Sequence, residues 1–380
     1  MINRKILSIS ITLASISGIA NAAEIYNKEG NKIDLIGLIE ADYKIRGKEN
    51  PTANGEARGN HANQDGTFAR LGFNAQTQIN SELTGYAKFE REFGVNESSS
   101  DGTPRYAYAG LKWAEYGSID FGRNYGVVGK IRDFSDQAAM FGGSGFGGGS
   151  DIFLTDLTSG LATYTNNNFF SMVPGFDIYL QYQVKDTNGD VLEQNGDGFA
   201  VASTYHHSPT GLGAGATYAK SDRIDAQINL NGNESADGKN AEIWAVAANY
   251  DANHIYLGLS WSESNNMLPV KGDMGVIEIA NKTRGLEVVA NYTFDFGLMP
   301  SVVYNQSKGY NLHGFIDSND GHGKAVLVKY IAVGAQYDFT KEMDMAVGYK
   351  INLLDANNAY TRENYLASDD QIEMRLTYAF

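Results

Sequence analysis

The chain has 380 residues, a formal charge of −15, 43 Gly, 23 Tyr, 18 Phe, only 6 Pro and no Cys. The sign of that charge excludes phosphate-directed nucleic-acid binding, and the missing cysteine excludes a disulfide framework, thiolate chemistry and thiolate metal sites. Abundant glycine and aromatics with little proline describe a β-rich protein whose aromatics can sit at an interface between oil and water.

The amino terminus carries Arg4 and Lys5, an apolar run over 6–19 and the small-residue pattern Ala20-Asn21-Ala22. We read residues 1–22 as a secretory signal and 23–380 as the mature domain. A membrane-anchoring helix is the alternative, but the run is short and ends in small residues. Cleavage takes away two basic residues, Arg4 and Lys5, and no acid, moving the formal charge from −15 to −17. Beyond Ala22 no apolar stretch reaches about eighteen residues, which leaves no helical membrane span.

From there the chain alternates. Over 33–46, Ile33, Leu35, Gly37, Ile39, Ala41, Tyr43 and Ile45 share one face, and Asp34, Ile36, Leu38, Glu40, Asp42, Lys44 and Arg46 share the other. That period of two is the mark of a strand with an oily side and a wet side. Similar segments fall at 67–79, 83–94, 105–114, 117–124, 160–168, 176–185, 198–208, 211–221, 241–251, 254–264, 284–296, 299–309, 326–339 and 343–352. The last is 371–380, with Ile372, Met374, Leu376, Tyr378 and Phe380 on its oily face. The total is about sixteen strands of roughly ten residues, the length a tilted strand needs to cross a bilayer.

Short turns at 80–82, 115–116, 208–210, 252–253, 297–298 and 340–341 alternate with long polar segments at 47–66, 95–104, 125–159, 186–197, 222–240, 265–283, 310–325 and 353–370. Because a bilayer core tolerates no unpaired backbone, such strands span it only in a closed barrel, with short turns on the periplasmic side and long loops outside. Phe294, Phe296, Tyr337, Phe339, Tyr378 and Phe380 lie beside short turns, where a periplasmic aromatic girdle belongs. A soluble β-sandwich would also alternate, yet it would not gather its aromatics at strand ends. The expected fold is therefore all-β: a sixteen-stranded antiparallel transmembrane barrel.

The segment 125–159 is the longest without alternation and holds Gly142, Gly143, Gly145, Gly147, Gly148 and Gly149. Glycine permits the sharp turns of a loop that doubles back against a barrel wall. The run also fits a Gly-x-Gly-x-x-Gly pattern, but no helix signal follows it and no basic residue stands near.

Several stretches together resemble the enterobacterial general diffusion porins. They are residues 23–32, Ala69-Arg70-Leu71-Gly72-Phe73, Leu83-Thr84-Gly85-Tyr86, Gly122-Arg123-Asn124-Tyr125-Gly126-Val127-Val128 and Phe294-Asp295-Phe296-Gly297. The resemblance covers essentially the whole mature chain. It implies a trimeric, water-filled barrel whose third loop folds inward and narrows the pore, passing small hydrophilic solutes and ions. It also implies wall arginines facing loop acids across the constriction; Arg70 and Arg105 match two such arginines and Asp136 a loop acid. Three positions depart from the family pattern. Leu38 stands where lysine is usual and Leu157 where another arginine is usual. Met140, in Ala139-Met140-Phe141-Gly142-Gly143, replaces the glutamate of Pro-Glu-Phe-Gly-Gly.

Glu40 and Asp42 share the inward parity of Leu38 and add acid to the lumen. Two arginines against three acids point to a mild preference for cations. Arg123 shares the parity of the outward Ile119 and Phe121, and Arg91 is outward too; an arginine facing lipid at mid-depth costs about 2 to 4 kcal/mol. Both are expected at a subunit interface, with Glu97 of the second long loop reaching Arg123. Terminal Phe380 with Tyr378 resembles the signal read by the outer-membrane assembly machinery. Outer-membrane lipid and lipopolysaccharide are the implied surroundings.

Enzyme readings find little to stand on. His206-His207-Ser208 sits beside Pro209 with no acid placed by spacing, and Asp186–Asp190 and Asp317–Gly321 lack the spacing of a calcium loop. No cofactor or metal is expected. A substrate-specific channel should show a run of aromatics along the lumen, and parity shows none; a barrel that merely anchors an enzyme or adhesin is the third class.

Overall fold

The computed structural model describes residues 22–46, 64–95, 102–146, 152–189, 191, 194–228, 236, 238–271, 277–312, 323–363 and 366–380. Residues 1–21 of the expected signal 1–22, Glu97, Gly147 to Gly149 and Asp317 to Gly321 lie outside the described residues.

Among the described residues the strands are, in chain order, β1 (Ala23–Lys28), β2 (Asn31–Arg46), β3 (Gln64–Asp65), β4 (Phe68–Gln78), β5 (Leu83–Gly94), β6 (Thr103–Trp113), β7 (Gly117–Tyr125), β8 (Leu157–Asn166), β9 (Phe176–Gln183), β10 (Gly198–His207), β11 (Leu212–Asp222), β12 (Asn240–Ala252), β13 (Ile255–Asn265), β14 (Pro269–Lys271), β15 (Ile277–Ile279), β16 (Lys282–Tyr292), β17 (Leu298–Leu312), β18 (Gly323–Asp338), β19 (Met343–Asn352) and β20 (Gln371–Ala379). The main sheet holds 18 strands. Two of them, β1 and β3, are short arms on β2. The other sixteen pair antiparallel with their chain neighbours and close where β20 meets β2, from Leu38↔Ala379 to Arg46↔Gln371. Closure leaves no unpaired strand edge in the bilayer. No helix among the described residues is long and apolar enough to cross a membrane; crossing is done by strands.

The carboxy terminus locks this seam. Phe380 donates its N–H to the Gly37 carbonyl and accepts the Gly37 N–H through its own carbonyl, both at 2.9 Å. A Cβ on Gly37 would lie 2.6 Å from the Phe380 ring, so only glycine lets the terminal ring lie against the seam. β1 then continues below, pairing Ala23 with Leu35.

Alternation sorts the faces as the sequence requires. Ile39, Phe121, Leu257, Val302 and Leu376 are exposed and face outward, into lipid. On the inner face of β10 to β12, Ala200, Ala202, Ala219, Ala245 and Ala247 form a bed of small side chains. The third loop lays Val127, Val128, Ile131, Phe134, Phe153 and Leu154 on that bed, so the largest apolar cluster lies inside the barrel, between wall and loop. Burying several such side chains contributes roughly 1.5 to 3 kcal/mol each, which is what holds a loop in a water-filled lumen.

One turn was absent from the pattern reading. Between β8 and β9, residues 167–175 make a periplasmic turn in which Asn168, Phe169, Phe170 and Ser171 all have positive φ, from 43° to 62°. Four consecutive non-glycine residues in the left-handed region leave no period to recognise.

Candidate functional site

β7 runs into the third loop, which begins with a short helix, Gly129–Arg132, and later makes a 3-10 turn, Ser144–Phe146. Wall side chains tie its backbone down along its length. Gln181 Oε1 accepts the Val127 N–H at 3.0 Å, Tyr256 donates to the Phe134 carbonyl at 2.9 Å, and Ser301 Oγ accepts the Ala139 N–H at 3.0 Å. The Tyr330 hydroxyl donates to the Phe141 carbonyl at 2.6 Å.

Glu287 of β16 holds the tip. Its Oε1 accepts the Gly143 N–H at 2.8 Å and its Oε2 the Gly145 N–H at 3.2 Å, while Asn305 Nδ2 donates to Oε1 at 3.4 Å. The side chain is 0% exposed. A buried carboxyl group is tolerated only when so partnered. Gly285, one step along the same face, lets the loop approach: a Cβ there would overlap the Gly145 carbonyl oxygen. Glu287 escaped the sequence reading, although its inward parity on β16 is visible once the strand is phased.

The wall facing the loop carries a ladder of ion pairs. Arg70 Nε donates to Glu92 Oε2 at 2.7 Å; Arg105 Nε donates to Glu90 Oε1 at 2.7 Å, and its Nη1 lies 3.5 Å from Glu92. Lys88 stands 3.8 Å from Glu90. Arg105 reaches this ladder because of a β-bulge. Glu90 pairs with Tyr106 and Arg91 with Pro104, so Arg105 is the extra residue, and it faces the lumen beside Tyr106 although its parity is outward.

These partners correct the charge tally drawn from sequence. Arg70 and Arg105 do not stand as free cations opposed by Asp136, Glu40 and Asp42; each has a carboxylate on its own wall. Nor are Glu40 and Asp42 free acids. Glu40 lies 3.9 Å from Arg375, and Asp42 3.0 Å from Lys44. Leu38 pairs in register with Arg70, as its inward parity requires. Met140 and Leu157 are buried, Met140 against Gly348 of β19.

On the loop side, Arg132 is bound to Asp156 at 3.1 Å and to the Tyr125 hydroxyl at 2.6 Å. Asp133 accepts from Tyr125 at 2.9 Å, and neither Asp133 nor Asp136 has an ion-pair partner among the described residues. Burial pushes both carboxyls above the ordinary carboxylate range, with Lys130 and Arg132 opposing it at Asp133 and Arg132 at Asp136. Arg105, Glu92, Tyr106, Arg132, Asp133 and Asp136 meet around a cavity of about 420 Å³.

Arg91 donates to the Gly102 carbonyl at 3.1 Å; Arg123, outward by parity, lines the same cavity and donates to the Pro104 carbonyl at 2.8 Å and to Ser159 Oγ at 3.1 Å. Both guanidinia thus find partners on their own subunit.

The parity reading of the lumen needs a second correction. Tyr86, Tyr106 and Tyr108 do form a run of aromatics on the inner wall. Tyr108 lies 6.2 Å from Tyr86 and 6.3 Å from Tyr106, edge to face in both cases. Taken strand by strand the run is easily lost, because it crosses from β6 to β5 and shows only when the strands are in register.

A closed sixteen-stranded antiparallel barrel with an oily exterior, a charged lumen and an inward third loop is the architecture of a transmembrane diffusion channel of the outer membrane. The chain belongs to the Gram-negative porin family, whose model matches residues 28–380. It is 44% identical over 380 residues to the outer membrane porin protein OmpD of Citrobacter koseri, covering 99% of both chains. It is also 44% identical over 371 residues to the putative outer membrane porin protein NmpC of Escherichia coli, covering 95% of this chain and 94% of that one. Among solved structures it is similar to OmpF of Salmonella typhi in complex with daunomycin, with a TM-score of 0.81, 40% identity and coverage of 94% of this chain and 100% of that one. The protein is an outer-membrane porin, a multi-pass β-barrel and not an enzyme.

Proposed function

We propose that this porin is a homotrimeric general diffusion channel for small hydrophilic solutes and ions with a mild preference for cations. Sieving falls to the third loop against the wall of β4 to β6, with Arg70, Arg105, Asp136, Leu38, Glu40, Asp42 and Leu157 around the constriction and the buried Met140 seating the loop against Gly348. The observation that carries the selectivity is the pairing of Arg70 and Arg105 with Glu92 and Glu90 at 2.7 Å. Around the cavity Glu92, Asp133, Asp136 and Asp156 stand against Arg105, Arg123 and Arg132, which leaves the lining with an excess of one acid. Salt screens them over about 8 to 10 Å, so the preference shrinks at high ionic strength.

Reversal potentials in a salt gradient test this reading. The unmodified channel is expected to favour cations, Leu38→Lys to weaken that preference, and joint replacement of Glu40 and Asp42 by asparagine to weaken or reverse it. Because burial raises the carboxyls of Asp133 and Asp136, acidification removes their charge sooner than that of exposed carboxylates. The cation preference is therefore expected to decline as pH falls. Anion selectivity in the unmodified channel would refute the proposal.

Trimer formation is supported by the outward parity of Arg91 and Arg123, since a protein neighbour is a better surrounding than lipid for an arginine near the outer face. Protein purified in mild detergent is expected to migrate as a heat-modifiable β-sheet trimer, and crosslinking that yields only monomer would rule the interface out. The mature chain is taken to start at Ala23, among outer-membrane lipid and lipopolysaccharide. Phe380 and Tyr378 are assigned to recognition by the assembly machinery. Deleting Phe380 removes both hydrogen bonds to Gly37, and the truncated chain is expected to accumulate unfolded in the periplasm; normal surface levels would refute that assignment.

A further inference from the structure

Resting on the pore reading above, we infer that Tyr106, Tyr108 and Tyr86 form a binding track for neutral saccharides along the lumen wall. Register sets their depth: Tyr106 is opposite Glu90, Tyr108 opposite Lys88 and Tyr86 opposite Gly110. The three rings therefore occupy successive levels, each two residues further toward the periplasm, or about 7 Å along the strand. The uppermost, Tyr106, opens onto the 420 Å³ cavity beside the third loop, so the track begins where solute enters the narrow part of the lumen.

The chemistry of the track suits a sugar. A pyranose ring presents apolar C–H faces and a rim of hydroxyls, and needs an aromatic surface with donors and acceptors beside it. Ring planes at 78° to one another present faces and edges in turn along the file. Tyr86 lies close over Gly110, whose missing side chain makes room: a Cβ there would be 2.7 Å from the ring. Asp120 fixes Tyr86 through its hydroxyl at 3.0 Å, and Lys88 sits 4.0 Å from the centre of the Tyr106 ring, covering one face of it. The hydroxyls of Tyr106 and Tyr108 make no hydrogen bond among the described residues, which leaves them to bond solute or water. Glu90 and Lys88 flank the file as acceptor and donor for sugar hydroxyls.

The test is single-channel recording in a planar bilayer with maltotriose as the probe and sorbitol at matched viscosity as the control. Maltotriose is expected to lower the conductance saturably, beyond the reduction sorbitol gives. Replacing Tyr86 and Tyr108 together by alanine is expected to raise the half-saturating concentration at least tenfold, on the order of 1 kcal/mol for each ring lost. Replacing them together by phenylalanine keeps the rings and is expected to shift it by less than about threefold. Should the double alanine variant not assemble, Tyr108→Leu gives the same comparison with one ring removed. A conductance that falls only as viscosity dictates, or a half-saturation unmoved by ring removal, overturns the inference while leaving the pore intact. A protein that conducts no ions at all overturns the pore reading itself.

Discussion

Replacing Glu90 and Glu92 together by glutamine is expected to turn the channel from cation to anion preference, changing the sign of the reversal potential in a salt gradient. In the native wall each carboxylate is 2.7 Å from the guanidinium it neutralises. Removing both leaves Arg70 and Arg105 as uncompensated charges within a screening length of about 8 to 10 Å of any permeating ion. Lys88 loses its partner as well. The lumen is wet and these side chains are partly exposed, so stability should change little. The reciprocal variant, Arg70 and Arg105 to glutamine, should strengthen the cation preference. If the two pairs of substitutions move the reversal potential in the same direction, selectivity is set elsewhere in the pore.

The second large effect concerns loop position. Glu287→Ala removes both acceptors of the loop-tip N–H groups, Gly143 and Gly145. A hydrogen bond contributes about 0.5 to 1.5 kcal/mol net, and each stranded N–H adds a desolvation cost of about 1 to 3 kcal/mol. The tip should detach from β16, giving larger and noisier single-channel conductance while the barrel keeps its thermal stability. Gly285→Val should do the same by the opposite route, forcing the loop away by volume. Glu287→Gln retains one acceptor oxygen and should be intermediate. Conductance in Glu287→Ala indistinguishable from the native value would mean that the tyrosine, serine and glutamine tethers further back hold the loop unaided.

The sequence alone determined the barrel. A period of two with an oily face has one physical solution in a bilayer, and each strand announces its phase locally: the 83–94 and 343–352 segments coincide with β5 and β19 as built. Turn lengths gave sidedness, and the glycine-rich run marked the loop that leaves the outer surface. Arg70, Glu40 and Asp42 were placed on the inner face by parity or motif, because inward direction is itself a local property of the strand.

What each inward side chain meets was decided only by the tertiary structure, since register between strands and the path of the third loop depend on closure of the whole sheet. Arg105 is the plainest case: its parity points to lipid, and a bulge visible only against β5 turns it into the lumen. Glu92 neutralises Arg70 from 22 residues away in sequence, and Glu287 grips a loop tip more than 140 residues before it in the chain. The tyrosine file needs β5 and β6 side by side before it exists at all. Local alternation carries the face of a residue but not its neighbours, and in this channel the neighbours set the charge of the pore.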